Sequence, residues 1–389
     1  MAEGTFSEEK LISSMFSGIW KSRCLSVLVS LGVPELLCNS VTPVSIQEIA
    51  ERTGCHTGEK IYKVLRTMAQ WGIGEELIEK HFKANRAMEL LRRDKGPSLG
   101  HMVGYYASDE VWAAMLAFPQ AVKDGGDTAF ELAHAMNLYD YMYRAEELEY
   151  SPPTKSEDIA SDMGTKQRRS EFAHNYDRAM SMLSQMELDS AQPTLFTVYP
   201  WVKCERIMDI GGGEGQFLSQ ILKLPGCEHI KGVLFDFPDV VERAKLFLAK
   251  ENVPDHRVTL LKGDILDGIP KCKEVDTIIV KNLFVIFTED EMVKVLENCR
   301  QVLAAHGKFI IVNSCNPEAR DTEHNVTKTG LQLGFRGIHI MAMSKMGHFR
   351  TKSEWLNLID RLCKKVAFRL NAVYETGDGP TLFELLNCE

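Results

Sequence analysis

The sequence predicts an α/β protein in which a doubly wound, parallel sheet follows a mostly helical amino-terminal region. Three observations lead to this fold class. Apolar residues recur at helical spacing through the first part of the 389-residue chain. After Pro200, short β-branched runs alternate with helical segments, which is the pattern of a parallel sheet with crossover helices. A glycine-rich turn separates the first of these runs from the helix that follows it.

The opening segment is strongly apolar on one face. Leu11, Met15 and Ile19 recur at four-residue spacing, and the run Leu25–Val33 is almost entirely apolar until Pro34, where we expect the helix to break. Such a face must be buried against something, and we expect it to pack on a second subunit.

A helix–turn–helix–hairpin order follows. Ser45 and Glu48 form a capping-box pattern that opens a short helix, Ile46–Arg52. A second helix ends near Gly72, and Ile73–Phe82 resembles a short hairpin. This order is typical of a winged helix. The apolar face of the second helix carries Ile61, Val64, Leu65 and Met68. The basic residues of the same helix are Lys60, Lys63 and Arg66.

Those basic residues have two interpretations. They could contact DNA, or they could form the solvated face of a dimerisation module. The chain carries 45 Lys and Arg against 54 Asp and Glu, a net charge of −9, which favours the dimerisation module and makes nucleic-acid binding unlikely.

Composition and sequence patterns narrow the classes of protein to which the chain can belong. No apolar run approaches the 18 or more residues of a membrane span. The ten cysteines include no CxxC pair or Cys/His cluster, so we expect free thiols and no metal site. The first residues lack the apolar core of a signal peptide, and we therefore expect a cytoplasmic protein.

Residues 95–200 continue as helices, except for Glu146–Arg169, which we expect to be a surface loop because it is polar and contains Pro152 and Pro153. Beyond Pro200 the predicted strands are Arg206–Ile210, Lys231–Phe235, Val258–Leu261, Thr277–Lys281, Lys308–Asn313, Ala367–Tyr374 and Thr381–Leu386. The helices predicted between them are Phe217–Leu224, Val240–Glu251 and Thr288–Ala304, the last with a capping box.

The motif Asp209-Ile-Gly-Gly-Gly-Glu-Gly215 lies between the first strand and its helix. Glycines allow a ligand to approach the backbone, and a helix start offers free N–H donors. Asp236 ends the second strand, where a carboxylate can accept both ribose hydroxyl hydrogens of a nucleoside. A second carboxylate, Asp264, follows the third strand and can meet an adenine amino group. The GxGxG spacing, and the lack of a further substrate domain, favour S-adenosylmethionine over a dinucleotide.

The motifs DIGGGEG, FDFPDVV, GDIL and IIVKN resemble those of the plant-type small-molecule O-methyltransferase family, which includes the caffeate, hydroxyindole and acetylserotonin enzymes. SIQEIAERTG followed by IYKVLRTMAQWGI is similar to that family's winged-helix dimerisation domain. FELAHAMNLYDYM and FAHNYDRAMSM are similar to the segments beside its acceptor pocket.

The resemblance implies a homodimer acting on a small-molecule acceptor, with a Rossmann-like class I methyltransferase domain preceded by a helical winged-helix domain. The implied domains are residues 1–115 for dimerisation, 116–200 as a connecting segment over the acceptor pocket, and 201–389 for S-adenosylmethionine binding. The implied cofactor-binding residues are Gly211, Gly213, Asp236, Gly263, Asp264, Ile265 and Lys281.

The resemblance fails at the catalytic base. The family carries His-Asp in a stretch like KxxLHDWSDE, and this chain has Val285 and Ile286 at those positions. The family's two orienting carboxylates fall near Asn313 and Gly337. A phenol needs a base to remove its proton, whereas an amine or an aromatic nitrogen attacks with its own lone pair. The loss therefore favours N-methylation of an aromatic or heterocyclic acceptor over O-methylation.

Two alternatives stay open. One is an enzyme that transfers no methyl group and uses the bound sulfonium electrostatically, as a pericyclase or a hydroxylase-like enzyme would. The other is a winged-helix regulator that senses the cofactor. Among the side chains, His134 and His339 are the candidate replacement bases, with His348 as a weaker one. The candidate acceptor-binding residues are Met180, Phe284, Val285 and Met343.

Overall fold

The computed structural model describes residues 8–144, 162–318, 328–345, 347, 349–377 and 379–388. The chain divides into two compact units. One comprises Met1–Ala113 and Thr154–Met182, and the other comprises Ala114–Pro153 and Leu183–Glu389. His348 and residues 146–161 of the predicted loop lie outside the described residues. No helix in the described ranges is long and apolar enough to cross a bilayer.

The amino-terminal unit is mostly helical around one apolar core. Buried side chains from most of its elements form this core, including Leu28, Ile49, Leu65 and Phe82. In chain order its elements are α1 Glu8–Phe16, α2 Gly18–Ser30, α3 Val33–Cys38, β1 Val44–Ser45, α4 Ile46–Arg52, α5 Gly58–Gln70, β2 Glu75–Glu76, β3 His81–Lys83, α6 Arg86–Glu89 and α7 Leu99–Tyr106.

The predicted helix–turn–helix–hairpin is present. Helices α4 and α5 are followed by β2 and β3, which pair antiparallel, and β1 joins β3 on its other edge. At the start of α4, the Glu48 N–H donates to Ser45 Oγ at 3.2 Å. The Glu48 carboxylate binds Arg52 instead of returning to the cap. The predicted capping box is therefore only half formed, because the neighbouring arginine takes the glutamate.

Two of the basic side chains on α5 form ion pairs with nearby acids. Lys63 forms an ion pair with Glu59 at 3.1 Å, and Arg66 forms one with Glu76 at 3.6 Å and also donates to Tyr62 Oη. A surface that reads DNA phosphates needs free cations. Each pair reduces the positive charge that α5 offers to a phosphate.

The first two helices leave large apolar side chains in solvent. Ile12, Met15, Phe16 and Trp20 are 62%, 64%, 67% and 72% exposed. The expectation for Pro34 was wrong: α2 already ends at Ser30, and Pro34 lies in the first turn of α3. Proline is tolerated there because its missing N–H has no partner in a first helical turn anyway.

The second unit carries the sheet. In chain order its helices and strands are α8 Asp109–Asp124, α9 Ala129–His134, α10 Asp162–Ala191, α11 Thr194–Thr197, β4 Arg206–Ile210, α12 Gln216–Leu222, β5 Lys231–Asp236, α13 Pro238–Lys250, β6 Val258–Lys262, β7 Val275–Lys281, α14 Glu289–Arg300, β8 Leu303–Asn313, α15 Lys328–Met343, α16 Lys352–Lys365, β9 Phe368–Tyr374 and β10 Thr381–Asn387. Helices α8 and α10 begin in the first unit. A short π-helix, Asp140–Arg144, follows α9.

The seven strands lie in the order β6-β5-β4-β7-β8-β10-β9. Alternate residues of each strand face opposite sides, as the pleat requires. In β7, Ile278 and Val280 enter one apolar cluster, whereas Ile279 enters the cluster on the other face. The sheet is therefore covered by helices on both sides, and the fold class predicted from the sequence is confirmed.

Three details differ from expectation. Strand β10 is antiparallel to both of its neighbours, so the sheet is not fully parallel. Strand β8 begins at Leu303, inside the segment expected to end helix α14. Residues 162–169 belong to α10 rather than to a loop, because a charged sequence can form a helix where no proline interrupts it.

Candidate functional site

The glycine turn between β4 and α12 has the conformation that only glycine adopts easily. Gly211, Gly213 and Gly215 have φ values of 65°, 59° and 89°. The Gly211 N–H donates to the Phe235 carbonyl at 2.8 Å, which ties the turn to β5. A Cβ added to Gly213 would meet no atom closer than Gln216 at 4.0 Å, so this part of the turn faces open space. The turn can therefore accept a ligand against its backbone.

Asp236, at the end of β5, is held in place by two backbone donors. Gly213 and Phe237 each donate an N–H to one of its carboxylate oxygens, both at 2.8 Å. Burial raises the pKa of Asp236 to about 6, although these two hydrogen bonds oppose the rise. Each oxygen keeps a further lone pair, so the carboxylate can still accept a pair of hydroxyl groups.

The turn after β6 lies beside Asp236. The Gly263 N–H donates to the Asp236 carbonyl at 3.1 Å, and Asp264 caps its own turn by accepting the Leu266 N–H at 2.9 Å. Ile265 is 7% exposed and packs in the apolar core. The carboxyl ends of β4, β5 and β6 thus bring together the glycines and carboxylates that the sequence singled out for the cofactor.

Lys281 ends β7 and pairs with a residue that the sequence reasoning missed. Its ammonium forms an ion pair with Glu187 of α10 and donates to Ser184 Oγ at 3.4 Å. Glu187 also accepts hydrogen bonds from Asn282 at 3.0 Å and Ser314 at 2.8 Å. The sequence gives little sign of Glu187, because it is one of several acids along a long helix and belongs to no motif.

Several buried polar atoms at this edge of the sheet have no partner among the described residues. They are Asp209 Oδ2, Asn282 Oδ1, and both Asn313 Oδ1 and Nδ2. Burial raises the pKa of Asp209 to about 7, although Lys281 opposes the rise. Buried polar groups are almost always bonded, so orphaned ones collected at one strand edge indicate a place for a ligand.

The residues after Lys281 are apolar and buried. Phe284 and Val285 are 0% and 2% exposed and belong to the core cluster that Ile286 also contacts. Neither Val285 nor Ile286 can accept a proton. Of the other residues suggested for the acceptor, Met343 is buried at the end of α15, and Met180 lies on the part of α10 that belongs to the other compact unit.

The two candidate histidines lie on helices that pack together, α9 and α15. His134 packs against Phe130 and Tyr141 in tilted ring contacts, with ring centroids 4.3 Å and 5.1 Å away. His339 is half-buried, and burial lowers its pKa to about 4. At neutral pH His339 is therefore uncharged and a weak base.

A cavity of about 410 Å³ lies within the amino-terminal unit. Arg93 bonds two acids that line it: its backbone N–H donates to Glu35 at 2.7 Å, and its side chain donates to Glu171 at 3.4 Å. We assign it no ligand.

Within the described ranges, no three His, Cys, Asp or Glu side chains are placed to hold a metal ion. All ten cysteines are unpaired.

Known proteins resemble this chain in sequence and in fold. The O-methyltransferase domain family matches residues 159–363, more than half of the chain. Phenazine O-methyltransferase PhzM of Lysobacter antibioticus is 25% identical over 82% of this chain and 82% of its own. The 8-amino-8-demethylriboflavin N,N-dimethyltransferase of Streptomyces davaonensis is 26% identical over 91% of this chain and 88% of its own.

The fold has been seen with the cofactor in place. The human N-acetylserotonin methyltransferase, solved in complex with SAM, covers 100% of both chains with a TM-score of 0.69 at 17% identity. The open glycine turn, the Asp236 carboxylate and the orphaned Asp209 oxygen fit such a nucleoside cation. The chain belongs to the O-methyltransferase domain family, and it is a small-molecule methyltransferase that uses S-adenosylmethionine.

Proposed function

We propose that this enzyme methylates a nitrogen atom of a small aromatic or heterocyclic acceptor in preference to an oxygen atom. The observation that carries the proposal is the pair Val285 and Ile286 in the segment that follows β7. The resemblance to the family places its His-Asp base there. This chain has two aliphatic side chains that pack into the core instead.

The missing base matters differently for the two acceptor types. A phenol has a pKa of about 10 and stays protonated at neutral pH, so a positioned base adds roughly 10²- to 10⁴-fold to its rate. An aromatic amine or a ring nitrogen already exposes a lone pair to the methyl group. For that acceptor, holding the two reactants in line supplies most of the acceleration.

The two candidate histidines do not make up for the missing catalytic base. His339 has a pKa of about 4, which is far below that of a phenol, so it takes up a phenol proton only weakly. His134 is the better placed of the two to contact an acceptor, because it lies in the segment that resembles the pocket wall of the family. We assign His134 to acceptor contact, and to proton transfer only after the methyl group has moved.

For the cofactor we propose Gly211, Gly213, Asp236, Gly263, Asp264, Ile265 and Lys281 as the binding residues. Asp236 would hold the ribose, the turn after β6 would border the adenine, and the glycine turn would receive the methionine part. The bound cofactor supplies a methyl group on a positively charged sulfur. The protein residues bind it, orient it and exclude water.

For the acceptor we propose contacts from Phe284, Val285 and Met343, whereas Met180 stays a prediction from the sequence. Named relatives include both an O-methyltransferase and an N,N-dimethyltransferase. The family therefore accommodates either chemistry, and the residues after β7 favour nitrogen in this chain.

We also propose that the enzyme is a homodimer that pairs through α1 and α2. The support is the row of exposed apolar side chains along these helices, of which Trp20 is 72% exposed. A soluble monomer rarely leaves so many large apolar side chains together in water.

The function is tested by a labelled-methyl assay with purified protein, S-adenosylmethionine and matched acceptor pairs. Each pair presents the same ring with either an amino group or a hydroxyl group, and mass spectrometry locates the added methyl. We expect N-methylated products. Faster methylation of the hydroxyl partners would overturn the preference for nitrogen. A rearranged substrate with the cofactor unconsumed would instead identify the non-methylating alternative.

A further inference from the structure

Two buried carboxylates at the carboxyl edge of the sheet share one lysine. The Lys281 ammonium forms an ion pair with Glu187, and the two side chains are 8% and 11% exposed. The same ammonium opposes the rise in the pKa of Asp209, whose Oδ2 has no hydrogen-bond partner among the described residues. The electrostatic interactions among these three groups therefore pass through the protein interior and not through water.

Glu187 is held in one orientation as an ion. Asn282 and Lys281 donate to one of its oxygens, and Ser314 donates to the other. Burial alone would raise the pKa of Glu187, but Lys281 and the Ser314 hydrogen bond outweigh it, and the pKa is lowered. Glu187 therefore carries a full negative charge at neutral pH.

The position of Lys281 makes its charge important for the cofactor. Ile210 and Val280 are register partners in β4 and β7, so the residues that follow them, Gly211 and Lys281, are neighbours at the carboxyl ends of these strands. An uncompensated ammonium at this point would repel any cation held at the glycine turn. S-adenosylmethionine is such a cation at its sulfur, whereas the product S-adenosylhomocysteine is a neutral thioether.

We propose that Glu187 neutralises Lys281 so that the site favours the cationic cofactor over its neutral product. Glu187 is thus a positioning residue that acts through Lys281. No other acid in the described residues forms an ion pair with this lysine. Arg336 adds a further positive field on Glu187 from α15, which increases the need for the carboxylate.

The test measures cofactor binding by calorimetry, without turnover. Three ligands are compared: S-adenosylmethionine, S-adenosylhomocysteine, and sinefungin, which carries an amine in place of the methylated sulfur. In Glu187→Gln, which keeps the shape of the side chain, the Kd for S-adenosylmethionine should rise about tenfold more than the Kd for S-adenosylhomocysteine. That is the size expected for two unit charges roughly 10 Å apart at an effective dielectric constant of about 20. Sinefungin should follow S-adenosylmethionine.

Two further variants separate charge from structure. Lys281→Met leaves Glu187 unopposed, so the preference for S-adenosylmethionine should increase. The double variant Glu187→Gln/Lys281→Met should return the ratio of the two Kd values to within about threefold of the wild type. If Glu187→Gln does not fold, the opposite sign of the Lys281→Met effect still tests the proposal.

The matched control is Asp189→Asn, which removes an equal charge from an exposed position two residues further along α10. Solvent screens that charge, so the ratio should stay unchanged. An equal change in the affinities for S-adenosylmethionine and S-adenosylhomocysteine in Glu187→Gln, or a Lys281→Met effect of the same sign, would show that Glu187 is only a structural residue.

Discussion

The backbone N–H of Gly213 donates a 2.8 Å hydrogen bond to the carboxylate of Asp236, which joins the glycine turn after β4 to the end of β5. The turn and the carboxylate are 23 residues apart in sequence. Because each holds the other, a change in the carboxylate affects both the proposed ribose partner and the shape of the turn that we propose receives the rest of the cofactor.

Asp236→Ala should therefore abolish measurable cofactor binding, and Asp236→Asn should weaken it by about 2 kcal/mol, the usual loss for a hydrogen bond to a charged group. Calorimetry with S-adenosylmethionine measures both. Asp239→Asn is the control, because Asp239 is an exposed acid three residues further on. Undiminished affinity in Asp236→Ala would remove that carboxylate from the site.

Asp209 should make the stability of the cofactor-free protein depend on pH. Its pKa is raised from 3.8 to about 7 in the folded chain. The folded state therefore binds a proton more tightly than the unfolded state, and this contribution is present below pH 3.8 and is lost as the pH rises to about 7. The loss is up to about 4 kcal/mol for a shift of this size.

Asp209→Asn removes this titration. Thermal melts without cofactor should show the variant gaining stability relative to the wild type between pH 5 and pH 7.5. Parallel pH profiles for the two proteins would mean that Asp209 titrates as an ordinary carboxylate.

Restoring the base should shift the acceptor preference. We expect Val285→His with Ile286→Asp to raise kcat/KM for phenols by tenfold or more and to leave amines nearly unchanged, provided that the pocket holds the phenol in line. The control, Val285→Asn with Ile286→Asn, adds polar groups of similar size without a base. An equal gain in the control would show that polarity, and not proton removal, limits the phenol reaction.

The proposed dimer predicts that a charge placed in its interface separates the two subunits. Trp20→Glu places a charge in the exposed apolar row of α1 and α2 and should give monomers in size-exclusion chromatography with light scattering. Leu246→Glu is the matched control, because Leu246 is a 73% exposed apolar residue on α13. A wild-type protein that is already monomeric at micromolar concentration would contradict the proposal.

The cap of α14 should matter for stability. Thr288 accepts the Glu291 N–H at 3.2 Å, and the Glu291 side chain bonds back to the Thr288 N–H at 2.8 Å. Thr288→Ala should cost about 1 kcal/mol, seen as a lower melting temperature. Thr57→Ala, at a cap that lacks a side-chain hydrogen bond, should cost less.

Local signals explain what the sequence could predict. Arg206–Ile210 and Ile46–Arg52 have the bounds expected from apolar runs and caps, and the Thr288–Glu291 capping box is complete. The glycines and Asp236 follow from a motif that is contiguous or tied to a strand end. Such features depend on neighbours along the chain, and a single sequence contains those neighbours.

Tertiary pairing explains what the sequence could not predict. Glu187 meets Lys281 across 94 residues, and nothing near either residue indicates the partner. Strand β10 pairs antiparallel with β8 and β9, and nothing in its own composition indicates that direction. Residues 162–169 are charged enough to resemble a loop, and their helix is continuous with the apolar part of α10.

Strand β10 lies between β8 and β9, with hydrogen bonds on both of its edges. Strand β10 is therefore an interior strand, although it follows the other strands of the sheet along the chain. During translation, one edge of β8 stays unpaired until residues 381–387 have been synthesised. An unpaired apolar strand edge can pair with strands of other chains. Expression of this protein should depend on chaperones late in synthesis, and a fragment that stops after β9 should aggregate.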